Sequence, residues 1–146
     1  EPDSDAAQLY HFDLDRVSWV KVFVYLTDVD ENSGPHCFIQ NSHRGNIPSN
    51  LLEQGYVRHS DQTIHATFPP SDILEMTGAA GTVLLEDTSG LHKGKVVNKG
   101  FRRILQWQYS ASNFGANMDA IQVDPVFYDQ VKRLSSNAAR AMIKNS

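Results

Sequence analysis

Cysteine is nearly absent from this chain. Cys37 is the only one in 146 residues, so no disulfide can form within the chain, which suits a reducing compartment. Long apolar runs are missing as well. None approaches the roughly 18 residues that mark a membrane-spanning helix, and no signal-peptide or lipidation pattern stands out; the expectation is a soluble, cytoplasmic protein. Positive charge is in deficit. Thirteen Lys and Arg against seventeen Asp and Glu give a net charge of −4 at pH 7, and the basic residues are dispersed. That argues against a nucleic-acid or anionic-membrane surface. There are no internal repeats, no low-complexity stretch, no Gly-rich phosphate loop, no nucleophile elbow and no CxxC. What is left is 40% hydrophobic and 21% charged, the composition of an ordinary globular domain. The length allows one core, not two, so residues 1–146 are expected to form a single domain.

Residues 1–7 read as a loose polar start, and Gln8–Asp13 as a short strand. Trp19–Val29 is rich in β-branched and aromatic residues and predicts the clearest strand. Its alternation places Lys21, Phe23 and Tyr25 on one face and Val20, Val22, Val24 and Leu26 on the other. Asp30-Glu31-Asn32-Ser33-Gly34-Pro35 has the composition of a turn, and His36–Ile39 resumes a strand, so residues 19–39 predict a hairpin. A short helix is expected near Ser49–Gln54, a strand at Ile64–Phe68, and a short helix opened by Pro69-Pro70-Ser71-Asp72 with Gly78 as its C′ residue. Thr82–Leu85 and Arg102–Tyr109 predict strands, with residues 93–100 a basic loop between them. From Asp124 the pattern turns helical: Asp124 can cap, Pro125 suits the first position, and Phe127, Val131 and Leu134 share a face. The helical segment is expected to run over 124–145. Short strands, turn-rich joints and a C-terminal helix argue for a β-sandwich or jelly roll.

Chemistry concentrates in a few residues. On a strand, positions i and i+2 face the same side, so His11 and Asp13 can reach one ion, and the distant His92 completes a two-histidine, one-carboxylate set. That set suits Fe(II) and leaves coordination sites open. Each residue alone has a plainer reading, since His-x-Asp arises often by chance and a lone histidine is usually a surface or core residue. Ten and eleven residues beyond His92 stand Arg102 and Arg103. An arginine grips a carboxylate with two parallel hydrogen bonds, which lysine cannot imitate. Alternation puts Arg102 with Ile104, Gln106 and Gln108, and Arg103 with Leu105, Trp107 and Tyr109. The more polar face favours Arg102, with Arg103 as the alternative. His36, His59 and His65 have no ligand spacing and read as surface or satisfied polar residues. Cys37 reads as a small buried residue.

Three stretches, AQLYHFDLD, KVFVYLTDVDENSGPHCFIQNSHR and EDTSGLHKGKVVNKGFRRILQWQYS, resemble the phytanoyl-CoA dioxygenase-like family over residues 6 to about 115. The resemblance implies a mainly β fold, a double-stranded β-helix of the jelly-roll, cupin-like kind. It also implies an Fe(II)- and 2-oxoglutarate-dependent dioxygenase that hydroxylates a small organic substrate, consuming O₂ and releasing succinate and CO₂. Carried across by residue, His11, Asp13 and His92 match the iron ligands and the catalytic set. Arg102, in the Gly-Phe-Arg step, matches the arginine on the distal carboxylate of 2-oxoglutarate. Phe23 matches a ring beside the cosubstrate. Ser42 and His43 match a motif that holds a turn, although Gln40-Asn41 replaces the family's Pro-Gly; Asn tolerates positive φ, so the turn can survive. Related halogenases replace the carboxylate by Gly or Ala, so Asp13 implies hydroxylation.

The family's longer N-terminal region, with its helices and first strands, is not matched. The resemblance therefore implies a truncated chain with an exposed sheet edge and a homo-oligomer formed through it. Two rival readings accompany the hydroxylase: a truncated, non-catalytic metal-binding jelly roll, and a plain β-sandwich interaction domain without metal.

Overall fold

The computed structural model describes residues 6–14, 18–53, 55, 57–110, 121–123 and 143–145. The chain divides into two compact units, Glu1–Ser112 and Asn113–Ser146. In the first, a 3₁₀ turn at Ala6–Gln8 leads to β1 (Trp19–Tyr25), β2 (His36–Ile39), α1 (Ser49–Leu52), α2 (Asp61–Thr67), β3 (Ile73–Met76), β4 (Val83–Glu86), β5 (His92–Gly94) and β6 (Ile104–Ser110). Two antiparallel three-stranded sheets, ordered β4–β1–β6 and β3–β2–β5, make the expected jelly roll.

Residues 19–39 do not form the predicted hairpin. The first strand ends at Tyr25, and β1 and β2 lie in different sheets. Each finds two long-range partners instead of the other. One phenol ties the sheets together: Tyr25 Oη donates to the Met76 carbonyl at 2.7 Å and accepts from the His36 N–H at 3.1 Å. The turn is a local knot of its own, in which Asp30 Oδ1 accepts from the N–H groups of Asn32 and Ser33. That is ordinary Asx-turn chemistry.

The expected strand at Ile64–Phe68 is helix α2. Ser60 caps it by accepting from the Thr63 N–H at 3.2 Å, and the fully buried Ile64 is its anchor. The helix expected after Pro69 is only a 3₁₀ turn at Pro70–Asp72. Ile73–Met76 is drawn into β3 by pairing with β2, Ile39 against Ile73 and His36 against Met76. The expected strand over Gln8–Asp13 reduces to single bridges at Tyr10 and His11. Lys93 is not part of a loop. It lies in β5, buried, with its ammonium over the Tyr10 ring and on Asp61.

The core packs between β2 and the two helices. Tyr10, Cys37, Ile39, Leu51, Ile64 and Leu91 form one buried cluster. Each of its Leu and Ile side chains contributes roughly 1.5–3 kcal/mol by leaving water. Ser42 holds the turn after β2, donating to the Ile39 carbonyl and accepting from the Leu91 N–H. Asn41 beside it takes φ 64°, the conformation the missing glycine would have supplied.

In the second unit, β7 (Ile121–Val123) pairs in parallel with β8 (Ile143–Asn145). The helical segment expected over 124–145 is thus corrected at its end. Ile143–Asn145 takes its ladder from another strand, a pairing that a β-branched residue favours. Residues 124–142 lie outside the described residues. Among the described residues, no helix is long and apolar enough to cross a membrane.

Candidate metal centre

His11 and His92 exchange both backbone hydrogen bonds, N–H to O at 3.0 and 2.8 Å, so their side chains leave the ladder on the same side. Their rings stand 4.5 Å apart. Each ring is fixed by the same local device: Nδ1 of His11 is 2.9 Å from the Leu9 carbonyl, and Nδ1 of His92 is 2.9 Å from the Gly90 carbonyl. A carbonyl accepts only, so Nδ1 carries the proton and Nε2 keeps its lone pair. Both Nε2 atoms face Asp13. His11 Nε2 is 3.9 Å from Oδ1, and His92 Nε2 is 3.6 Å from Oδ2. One ligand atom from each of His11, Asp13 and His92 falls within 4.8 Å of the others.

Asp13 sits at the centre of these contacts. Its N–H is held by the Thr88 carbonyl at 2.8 Å, and the fully buried Thr88 is in turn held by Trp19 Nε1 at 2.8 Å. The Lys21 ammonium lies 2.5 Å from Asp13 Oδ2. Burial alone would push the Asp13 carboxyl up, but hydrogen bonds from Lys21 and Thr88 outweigh it and hold it below its ordinary range. Burial lowers the affinity of His92 for a proton, which keeps the ring neutral, the form a metal needs. Two imidazole nitrogens and one carboxylate at this spacing fit Fe(II) or a similar divalent ion.

Beside these residues is a cavity of about 200 Å³, lined by His11, Asp13, Lys21, Phe23, His36, His92, Gly94, Arg102, Ile104 and Gln106. It is smaller than the roughly 300 Å³ at the low end for drug-sized ligands and suits a small organic acid. Arg102 enters it and Arg103 does not; Arg103 is exposed and lies over the Phe101 ring. The Arg102 guanidinium donates to the Gly34 carbonyl. Gly94 gives it room: a Cβ there would stand 3.1 Å from an Arg102 terminal nitrogen. Phe23 is buried in the same wall. A larger trough of about 560 Å³ is lined by Asp28, Asp30, Glu31 and Gly78. Its carboxylates are exposed and no histidine lines it, so the smaller cavity is where the chemistry converges.

Three residues of the site went unrecognised in the sequence. Alternation puts Lys21 on the correct face without giving its contact with Asp13. A lysine sharing a strand face with Phe23 and Tyr25 is the signal that could have revealed it. His36 and Glu86 are both buried, with His36 Nε2 2.8 Å from Glu86 Oε2. Their partnership crosses from one sheet to the other, and no sequence spacing announces it.

No family model and no curated protein sequence matches the chain. Solved structures do. The chain is similar to HygX from Streptomyces hygroscopicus with nickel and 2-oxoglutarate bound, at 23% identity and TM-score 0.52, covering 80% of this chain and 54% of that one. It is similar also to HygX with iron bound, at 24% identity and TM-score 0.50, covering 73% of this chain and 42% of that one. The likeness is one of fold, and the chain spans about half the length of these structures or less.

Proposed function

We propose that the chain carries the metal centre of an Fe(II)- and 2-oxoglutarate-dependent oxygenase, of the phytanoyl-CoA dioxygenase-like kind, that hydroxylates a small organic substrate. One observation carries the reading: ligand atoms of two histidines and a carboxylate converge within 4.8 Å of one another beside a cavity that an arginine also enters. The fold it shares with HygX, solved with iron and with nickel and 2-oxoglutarate, supports the same centre.

In this reading His11, Asp13 and His92 hold the metal. Arg102 pairs with the distal carboxylate of 2-oxoglutarate, and Phe23 walls the cosubstrate from water. Lys21, on Asp13 Oδ2, would have to yield that oxygen to a metal bound there or leave the metal the other one. Iron with bound 2-oxoglutarate supplies O₂ activation coupled to loss of CO₂ and formation of succinate. The protein's own share is orientation, charge compensation and exclusion of water.

A second reading, a metal-binding jelly roll without turnover, is favoured by the Lys21–Asp13 contact, which competes for a ligand oxygen. An anaerobic titration of the chain with Fe(II) and then 2-oxoglutarate separates the two. A visible charge-transfer band saturating at one equivalent, fading on admission of O₂ with release of succinate, is the expected result. Bound iron without the band favours the non-catalytic reading, and no bound iron refutes both.

A further inference from the structure

Against the metal ligand His92 lies a buried pair to which the metal reading gives no role, Glu86 on its Nδ1 side and His36 on the face of its ring. Glu86 ends β4 on the face it shares with Lys21, its partner across the ladder. Its side chain is 5% exposed, and that of His36 is 8% exposed. His36 Nε2 and Glu86 Oε2 are 2.8 Å apart, yet out of line for a hydrogen bond. Among the described residues, neither Glu86 oxygen and no atom at His36 Nε2 is hydrogen-bonded. A carboxylate taken from water without hydrogen bonds is costly, and such a group calls for a reason.

Its surroundings supply one. The His36 ring stacks on His92 with centroids 5.6 Å apart and planes at 29°, and it meets Phe23 at 4.8 Å. Glu86 Oε1 stands 3.9 Å from His92 Nδ1, the nitrogen whose proton goes to the Gly90 carbonyl. We propose that His36 and Glu86 are positioning residues for His92: His36 fixes the plane of its ring, and Glu86 sets a negative charge behind its Nδ1–H.

The inference rests on the metal reading above and deepens it. A divalent ion on Nε2 draws electron density through the ring and leaves the Nδ1–H more positive. A carboxylate behind that group then stabilises the loaded ring more than the empty one by charge alone, whereas in carboxylate–histidine–metal arrangements the carboxylate also accepts the proton that Gly90 takes here. The effect is therefore on affinity rather than on folding. His11 has the same carbonyl device, but among the described residues no carboxylate stands at its Nδ1. The two histidines are thus unequal, with His92 the better anchored.

The test is a Co(II) titration of the full chain, followed by the visible d–d bands, for the wild type, for Glu86→Gln and for the double variant His36→Leu/Glu86→Leu. Glu86→Gln keeps the shape and removes the charge. It is expected to weaken Co(II) binding about ten- to hundredfold and to shift the bands. A purely structural pair would lower the melting temperature of the metal-free chain and leave affinity and spectrum of the folded protein unchanged. Co(II) binding by Glu86→Gln within twofold of wild type, with the same spectrum, overturns the proposal. If Glu86→Gln does not fold, the double variant decides, because it leaves no buried polar group unmatched. A tenfold or greater loss there supports the proposal and wild-type affinity overturns it. A wild-type chain that binds no Co(II) fails at the metal centre itself, a result distinct from an indifferent Glu86→Gln.

Discussion

The β4–β1–β6 sheet has two unlike faces. Toward the second sheet it turns Lys21, Phe23 and Tyr25, flanked across the ladder by Glu86 and Leu84 on one side and by Gln108, Gln106 and Ile104 on the other. Outward it turns Val20, Val22 and Val24, flanked by Leu85 and Val83 and by Tyr109, Trp107 and Leu105. The inner face is the polar one, and there Phe23, Tyr25 and Glu86 are buried. The outer face is apolar, and Leu85 is 73% exposed, Val83 61% and Tyr109 60%. Ordinary burial would sort these the other way. Buried polarity is therefore the mark of the site, and the difference between the faces is open to experiment.

The largest effect is expected where the inner face meets the ligands. Asp13→Ala removes the only carboxylate among the three candidate ligands. Fe(II) or Co(II) affinity should fall more than about a hundredfold, beyond the ten- to hundredfold typical of an outer-sphere partner. Unchanged binding by calorimetry would sink the metal centre. Next come the two arginines, neighbours in sequence. Arg102 enters the cavity and Arg103 is exposed. Arg102→Ala should weaken 2-oxoglutarate about ten- to hundredfold, the worth of a charge-assisted contact, and leave Fe(II) affinity alone. Arg103→Ala should change neither. The reverse result would exchange their roles.

Tyr25 tests the inner face as structure. Tyr25→Phe strips a partner from both the His36 N–H and the Met76 carbonyl. The expected loss, read by urea unfolding, is about 1–3 kcal/mol. Burial pushes the phenol above its ordinary 10.0, against the lowering from the His36 N–H and Arg102. A pKa raised on folding gives stability that is complete below pH 10 and lost as pH climbs past it. Wild type should therefore weaken more steeply than Tyr25→Phe above pH 10. Equal slopes would mean that the phenol is not confined as described.

Much of this was legible in sequence where one local rule decided the outcome. The alternation over 19–25 assigned both faces of β1, and the same rule on 102–109 separated Arg102 from Arg103. The candidate pair His11 and Asp13 does converge, at 3.9 Å, although the strand expected to bring it together reduces to single bridges. The failures share a cause: the deciding partner lay far away, or two local rules tied. Ile64-His65-Ala66-Thr67-Phe68 alternates apolar and polar like a strand, yet Ile64 and Phe68 are also one helical turn apart; the Ser60 cap broke the tie. Ile73–Met76 contains good helix formers but is claimed by β2. Residues 19–39 had every hairpin signal, and only pairing with β4, β6, β3 and β5 shows that the two strands part company. His36 and Glu86 belong to different sheets, fifty residues apart, and nothing local links them.

The smallest effect belongs to the outer face. Leu85 lies directly across from Val22, which is 7% exposed, while Leu85 itself is 73% exposed. Leu85→Lys therefore removes little apolar area from burial, and a lysine stem can lie along Val22 with its ammonium in water. The change in stability should stay within about 0.5 kcal/mol, as for other surface substitutions. Metal and 2-oxoglutarate binding should be unaltered, because Leu85 and its neighbour Glu86 point to opposite faces of β4. Apolar patches of this kind promote self-association, so the variant should also be the more soluble of the two at high concentration. A loss of 2 kcal/mol or more would contradict this: the outer face would then be covered in solution, and the contrast would be between a polar interior and an apolar interface rather than an apolar surface.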